Sequence, residues 1–149
     1  MDNKMTVIFS ADSQNEAFAR NTVAAFCVAL DPTVDQINDI KTAVSEAVTN
    51  CIVHAYPDRN ADNTVKISTT IDDDSVHIVV SDTGIGIDDI KSAMQPFFTT
   101  KPDEERSGMG FTVMESFMDS LSVSPNTPSG TVVSMTKTIR GADWKKKKH

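Results

Sequence analysis

Glu46 and Asn50 stand four residues apart in a stretch of helical periodicity, so their side chains share one helix face. A carboxylate beside a carboxamide suits an Mg2+–nucleotide site: the amide oxygen is a hard metal ligand, and the carboxylate can act as base or orient a nucleophile. For an arbitrary Glu/Asn pair, a solvated helix face is the commoner explanation. Asp82-Thr83-Gly84-Ile85-Gly86 follows a strand-like run directly. A carboxylate at a strand end can accept from an exocyclic amine such as that of adenine, and Gly84 and Gly86 let backbone press against a flat base. A plain turn has about even odds there. The third candidate is Pro96-Phe97-Phe98-Thr99-Thr100-Lys101 with Arg106-Ser107-Gly108-Met109-Gly110, where a helix opens at the second glycine. A glycine pair entering a helix N-terminus offers free N–H groups and the positive dipole end to phosphate. The hydroxyls, lysine and arginine nearby suit a lid over polyphosphate. No G-x-x-x-x-G-K-[ST] occurs, so this is no P-loop.

The elements that must hold these residues are legible from periodicity. Residues 5–10 alternate as a strand. Ser13-Gln14-Asn15-Glu16 has the form of a capping box and opens a helix carrying Phe18, Val23, Phe26, Cys27 and Leu30. Asp31-Pro32-Thr33 stops it, and Thr33-Val34-Asp35-Gln36 is a second box. The helix that follows, 34–55, sets Ile37, Ile40, Val44, Val48, Cys51 and Ala55 within about 40° of one direction, with Glu46 and Asn50 roughly opposite. His54 reads as a helix-terminal residue. Strands are expected at 65–71 and 76–81, a short helix near 88–94, and an amphipathic helix through Phe111, Met114, Phe117, Met118 and Leu121. A final hairpin pairs 120–124 with 131–139 across a turn at 125–130. Early helices and sequence-adjacent strands predict an α+β two-layer sandwich, its mixed, mostly antiparallel sheet covered by helices on one face.

Composition narrows the function. The 149 residues carry 14 Lys+Arg against 21 Asp+Glu, a net charge of −7. Lys145, Lys146, Lys147 and Lys148 supply four of the cations, leaving 10 against 21, or −11, for residues 1–144. Such a body repels nucleic acid and anionic membrane, so an anionic ligand must be held by something other than bulk positive charge. Even the stretch 99–110 sets Lys101 and Arg106 against Asp103, Glu104 and Glu105. Cys27 and Cys51 fit neither a disulfide framework nor a zinc site and read as buried thiols. With no signal-peptide pattern and no span-length apolar run, a cytoplasmic protein is expected. The division expected is one domain over 1–141 and a disordered lysine-rich tail at 142–149.

Together, Glu-x-x-x-Asn on a helix, Asp-x-Gly-x-Gly after a strand and Gly-x-Gly opening a helix form a specific ordered set. It resembles the Bergerat ATP-binding fold of gyrase-type topoisomerases, heat-shock chaperones, MutL-type repair proteins and histidine kinases. Nearly the whole chain, most closely 9–33, 45–56 and 95–119, is similar to the SpoIIAB-type anti-sigma F factors of endospore-forming bacteria. That resemblance implies a homodimeric, ATP- and Mg2+-dependent protein serine kinase. It would hold a sigma F-type factor inactive and phosphorylate an anti-anti-sigma antagonist. Glu46 is then implied as the general base and Asn50 as the Mg2+ ligand. Asp82 is implied as the adenine acceptor, with Gly84 and Gly86 shaping the base pocket. Thr99, Thr100, Lys101, Arg106, Ser107, Gly108, Met109 and Gly110 are implied in the lid and phosphate site. Thr131 corresponds to a threonine near adenine, though a strand-start threonine is equally plausible. Glu16 and Arg20, unexceptional surface charges by themselves, are implied as partner contacts.

Three other readings stand beside this one. A stand-alone histidine-kinase ATP domain is disfavoured because Gly108-Met109-Gly110-Phe111 departs from the usual Gly-Leu-Gly-Leu and no phosphoacceptor helix pair is present. A pure binding module leaves Glu46 without a role. A general-stress anti-sigma kinase would share the chemistry and differ in its partner.

Overall fold

The computed structural model describes residues 2–58, 60–87, 94 and 110–139. The expected short helix at 88–94, apart from Met94, lies outside them, as do residues 99–109 and the tail from 140 onward.

Five strands form one sheet in the order β1-β2-β3-β5-β4: β1 Asn3–Ser10, β2 Thr64–Asp72, β3 Ser75–Asp82, β4 Ser120–Pro125 and β5 Thr131–Thr138. Every pairing among the described strands is antiparallel, which resolves the expected mixed sheet. Alternation sends Val65, Ile67, Thr69 and Ile71 of β2, Val76, Ile78 and Val80 of β3, and Val133 and Met135 of β5 into the core. Asp82 is in phase with that apolar set, and so its carboxylate points into the core side at the strand's end.

The core is closed by α1 Asn15–Cys27, α2 Val34–Asn50 and α3 Gly110–Phe117. α2 starts where the second capping box predicted. Thr33 Oγ1 accepts from the Gln36 N–H at 3.1 Å, and Gln36 Oε1 accepts from the Thr33 N–H at 2.9 Å. Its stripe is buried at Ile40, Val44 and Val48, with Ile37 packed at the margin. The expected continuation to residue 55 is present as a π-helical turn, Cys51–Ala55.

The first capping box does not form. Gln14 is the N-cap and makes no side-chain cap bond, while Asp12 Oδ1 accepts from the Gln14 N–H at 3.0 Å. Glu16 instead accepts from Arg20 and from Ser45 of α2. A charge-assisted partner is a stronger draw for a carboxylate than a neutral backbone amide. Two apolar positions also differ from expectation. Phe18 is half exposed, meeting Phe9 edge-on with centroids 6.1 Å apart, and Leu121 belongs to β4 because α3 ends at Phe117.

Candidate functional site

The site is wound around the last turns of α2. Glu46 and Asn50 are more covered than their angle to the apolar stripe suggested. α3 packs against α2 there, and both side chains are half buried. The contact is at Gly110, the first residue of α3. A Cβ on Gly110 would lie 3.2 Å from Asn50 Nδ2, 3.3 Å from Asn50 Oδ1 and 3.4 Å from Glu46 Oε2. The carboxylate and carboxamide therefore converge on a helix N-terminus, where backbone N–H groups and the dipole favour an anion. The absence of a side chain at Gly110 is what admits them.

One residue further along α2, about 100° around the helix, Cys51 turns toward Asp82. Asp82 is 5% exposed, and its Oδ1 accepts from the Gly84 N–H at 3.0 Å and the Thr131 N–H at 3.2 Å. Burial lifts the Asp82 carboxyl above its ordinary range. The bonds from Gly84, the Cys51 thiol and Thr131 pull it partly back. Burial, with the Asp82 charge and hydrogen bond, also pushes the Cys51 thiol well up, and it stays a neutral donor. A buried carboxylate already anchored on one oxygen is an oriented acceptor for a ligand N–H.

The loop after Asp82 is clamped from both sides. On the α2 side, Ala55 O accepts from the Ile85 N–H at 2.8 Å, and a Cβ on Gly84 would sit 2.1 Å from that same carbonyl oxygen. The π-helical turn presents this carbonyl, in keeping with the frequent placement of such turns at functional sites. On the hairpin side, Asn126 Nδ2 donates to Asp82 O at 2.8 Å and Ser129 Oγ to Thr83 O at 3.1 Å. Gly130, at φ 105°, brings its Cα so near Asp82 O that a Cβ would lie 2.0 Å from it. Gly86, at φ 79°, takes the left-handed conformation next to Gly130 O. Tyr56 OH donates to Thr64 O at 2.6 Å and accepts from the Thr83 N–H at 2.9 Å, tying the loop to β2.

Of the residues implied by sequence, Glu46, Asn50 and Gly110 thus come together at one end of the site. Asp82, Gly84, Gly86 and Thr131 come together at the other, with Thr131 contributing its backbone N–H. Thr99, Thr100, Lys101, Arg106, Ser107, Gly108 and Met109 lie outside the described residues. Glu16 and Arg20 pair on α1 at 2.5 Å, and Ser45 Oγ donates to Glu16 next to Glu46. Sequence reasoning left out Cys51, Tyr56 and Asn126 as site residues. Only the turn composition before Gly130, Pro125-Asn126-Thr127-Pro128-Ser129, carried any signal for the last of them.

Among the described residues, no group of three or more His, Cys, Asp and Glu side chains is arranged to hold a metal, and no helix is long and apolar enough to cross a membrane. A metal here would depend on a ligand's own oxygens to complete its shell, as Mg2+ does with nucleotide phosphates. The single hard oxygen of Asn50, beside the open cradle at Gly110, fits that mode.

The histidine kinase-like ATPase domain family matches residues 9–137. The anti-sigma F factor of Clostridium beijerinckii is 57% identical over 136 residues, covering 91% of this chain and 94% of that protein. The anti-sigma F factor of Bacillus subtilis is 53% identical over 137 residues, covering 92% and 93%. In fold, the chain is similar to the RsbU and RsbW domains of a Mycobacterium tuberculosis protein, with a TM-score of 0.65, 15% identity and coverage of 92% and 32%. It is also similar to the catalytic domain of the histidine kinase ThkA, with a TM-score of 0.58, 15% identity and coverage of 91% and 98%. Matched to relatives along nearly their full length, the chain belongs to the anti-sigma F factors within the histidine kinase-like ATPase domain family.

Proposed function

We propose that this protein binds a sigma F-type factor and, as an ATP- and Mg2+-dependent serine kinase, phosphorylates and so inactivates an anti-anti-sigma antagonist. The observation that carries the reading is the convergence of Glu46 and Asn50 on the N-terminus of α3, one helical step from the buried Asp82. The C-terminal end of α2 thereby offers an acid–base group and a metal ligand, and Asp82, bonded by Cys51 just beyond that end, offers an acceptor for adenine.

In this mechanism Asp82 accepts the adenine amino hydrogen, and Gly84 and Gly86 leave room for the base. Thr131 fixes the Asp82 oxygen that is not spent on the ligand. The phosphates lie at the Gly110 amide end of α3, under a lid containing Thr99, Thr100, Lys101, Arg106, Ser107, Gly108 and Met109. Asn50 would hold Mg2+, which supplies charge neutralisation to the phosphates when bound. The acceptor serine Oγ attacks the γ-phosphorus in line as the bond to the β,γ-bridging oxygen breaks, and ADP departs with that electron pair. The serine proton passes to the Glu46 carboxylate. Catalysis is chiefly positioning and electrostatics. Glu16 and Arg20 on α1 contact the protein partners, and the working unit is a cytoplasmic homodimer of one ATP-binding domain, residues 1–141.

The test is transfer of label from γ-labelled ATP to the host's anti-anti-sigma protein, with the product checked for acid-stable, alkali-labile phosphoserine. Glu46→Gln is expected to lower transfer by about 100-fold or more while ATP affinity changes little. Transfer at the parental rate removes Glu46 as base, and an acid-labile product replaces serine by histidine as the acceptor.

A further inference from the structure

An open groove of about 300 Å³ runs over the outer surface of α2 beside α1, lined by Arg20, Asn38, Lys41, Thr42, Ser45 and Glu46. Its floor is periodic. Asn38, Thr42 and Glu46 form one i, i+4 row along α2, so the groove leads to the Glu46 carboxylate. Its charge runs against that of the chain. In a protein of net −7, the lining holds two cations, Lys41 and Arg20, against the single carboxylate of Glu46. Arg20 is bridged to Glu16 and is still 36% exposed. Lys41 has no ion-pair partner among the described residues.

We propose that this groove seats the acceptor segment of the protein substrate and that Lys41, with Arg20, selects a segment carrying an acidic side chain close to the acceptor serine. This rests on the kinase reading above and adds to it the substrate's local chemistry. The occupant follows from three features. The groove is polar, with Asn38, Thr42 and Ser45 able to bond an extended backbone, whose N–H and C=O groups need partners. Its lining carries two cations against one carboxylate, so an acidic segment is favoured and a basic one rejected. It finishes at Glu46, where a serine hydroxyl has to arrive.

Spacing makes the proposal more specific. From Lys41 to Glu46 the helix rises about 7.5 Å, at 1.5 Å per residue. An extended chain advances about 3.3–3.6 Å per residue, so the selected acid lies roughly two residues from the serine.

The probe is the host's anti-anti-sigma protein, with Lys41→Glu and Lys41→Met compared to the parent. Both substitutions are on an open helix face, and thermal unfolding checks that they fold. For Lys41→Glu, the KM for the antagonist is expected to rise about tenfold or more, with kcat and ATP affinity nearly unchanged. Lys41→Met should fall between. Exchanging the antagonist's acid two residues from its serine for lysine should restore much of the loss in the Lys41→Glu enzyme. An unchanged KM in Lys41→Glu, or a kcat loss without a KM change, overturns the groove assignment. If the parent transfers no phosphate, the kinase reading fails. The groove is then judged by direct titration of antagonist in the presence of a non-hydrolysable ATP analogue. Binding weakened by Lys41→Glu supports the surface, and equal binding overturns it.

Discussion

Gly110→Ala separates the catalytic geometry from the fold. The added methyl carbon would sit 3.2 and 3.3 Å from the two terminal atoms of Asn50 and 3.4 Å from Glu46 Oε2. Carbon–heteroatom contacts that short are unfavourable, so the amide and carboxylate ends must withdraw by a few tenths of an ångström. Both are ends of rotatable side chains and can do so without moving backbone. In a helix, exchanging glycine for alanine gains about 0.5–1 kcal/mol of conformational preference. The steric cost offsets part of that gain, and unfolding stability should change by less than about 1 kcal/mol. Function should respond differently. Catalytic groups need placement within about 0.5 Å, and a displacement near 1 Å costs on the order of 100-fold. Phosphotransfer to the antagonist is therefore expected to fall by about 3- to 10-fold, short of the loss for a 1 Å shift, with adenosine binding at Asp82 retained. The assays are thermal unfolding, adenosine titration and labelled-phosphate transfer on one preparation. Parental transfer rates in a folded variant would refute the convergence of Glu46, Asn50 and the α3 N-terminus as the reacting site.

Three further outcomes are expected. In the proposed function Asp82 accepts the adenine amine most strongly when ionised, and its pKa is raised. ATP affinity should hence decline with falling pH starting above the ordinary carboxylate range, while the same protonation stabilises the ligand-free fold. That stabilisation is present at low pH and lost as pH rises through the raised pKa. Titrations across pH 4–7 compared with Asp82→Asn, in which both trends should vanish, provide the check. Thr69→Val should raise stability by about 1 kcal/mol or more, because the fully buried Thr69 hydroxyl has no hydrogen-bond partner among the described residues; an unchanged or lower melting temperature contradicts this. Gly84→Ala should cost more than about 2 kcal/mol and abolish adenine binding, since its Cβ would meet the Ala55 backbone oxygen at 2.1 Å, where only backbone movement gives relief. A variant of parental stability would disprove that clamp.

Local pattern carried most of the elements. The alternation at 65–71 and 76–81 became β2 and β3 with one residue added at each end, and the Thr33–Gln36 pair capped α2 as its side chains require. The Ser13–Glu16 pair has the same pattern and fails because Arg20 and Ser45 claim Glu16, a competition only the folded chain can stage. The same limit governs the site. Periodicity gave the angle of Glu46 and Asn50 around α2 and could not say that α3 would cover them. Asp82 was legible from its place before two glycines. Its supports were not, because Thr131 and Asn126 reach it from 49 and 44 residues away. Cys51 appeared as one more apolar position in a stripe. The stripe's final turn is where the core gives way to the site.

That one helix carries both ends of the site has a mechanical consequence. α2 is pinned at its start by a reciprocal cap and along its length by fully buried Ile40, Val44 and Val48. Asn38 and Thr42 in the groove, Glu46 and Asn50 at the α3 N-terminus, and Cys51 on Asp82 are therefore fixed to one rigid rod. Ser45, beside Glu46, ties that rod to the Glu16–Arg20 pair on α1. Under the proposed function, a partner that engaged Arg20 would change the competition for the Glu16 carboxylate that Ser45 shares, one residue from the proposed base. Communication between the protein surface and the nucleotide then needs no long chain of contacts, since adjacent helix positions are only about 1.5 Å apart along the axis. It needs only that partner binding differ in free energy between the two arrangements of Glu16.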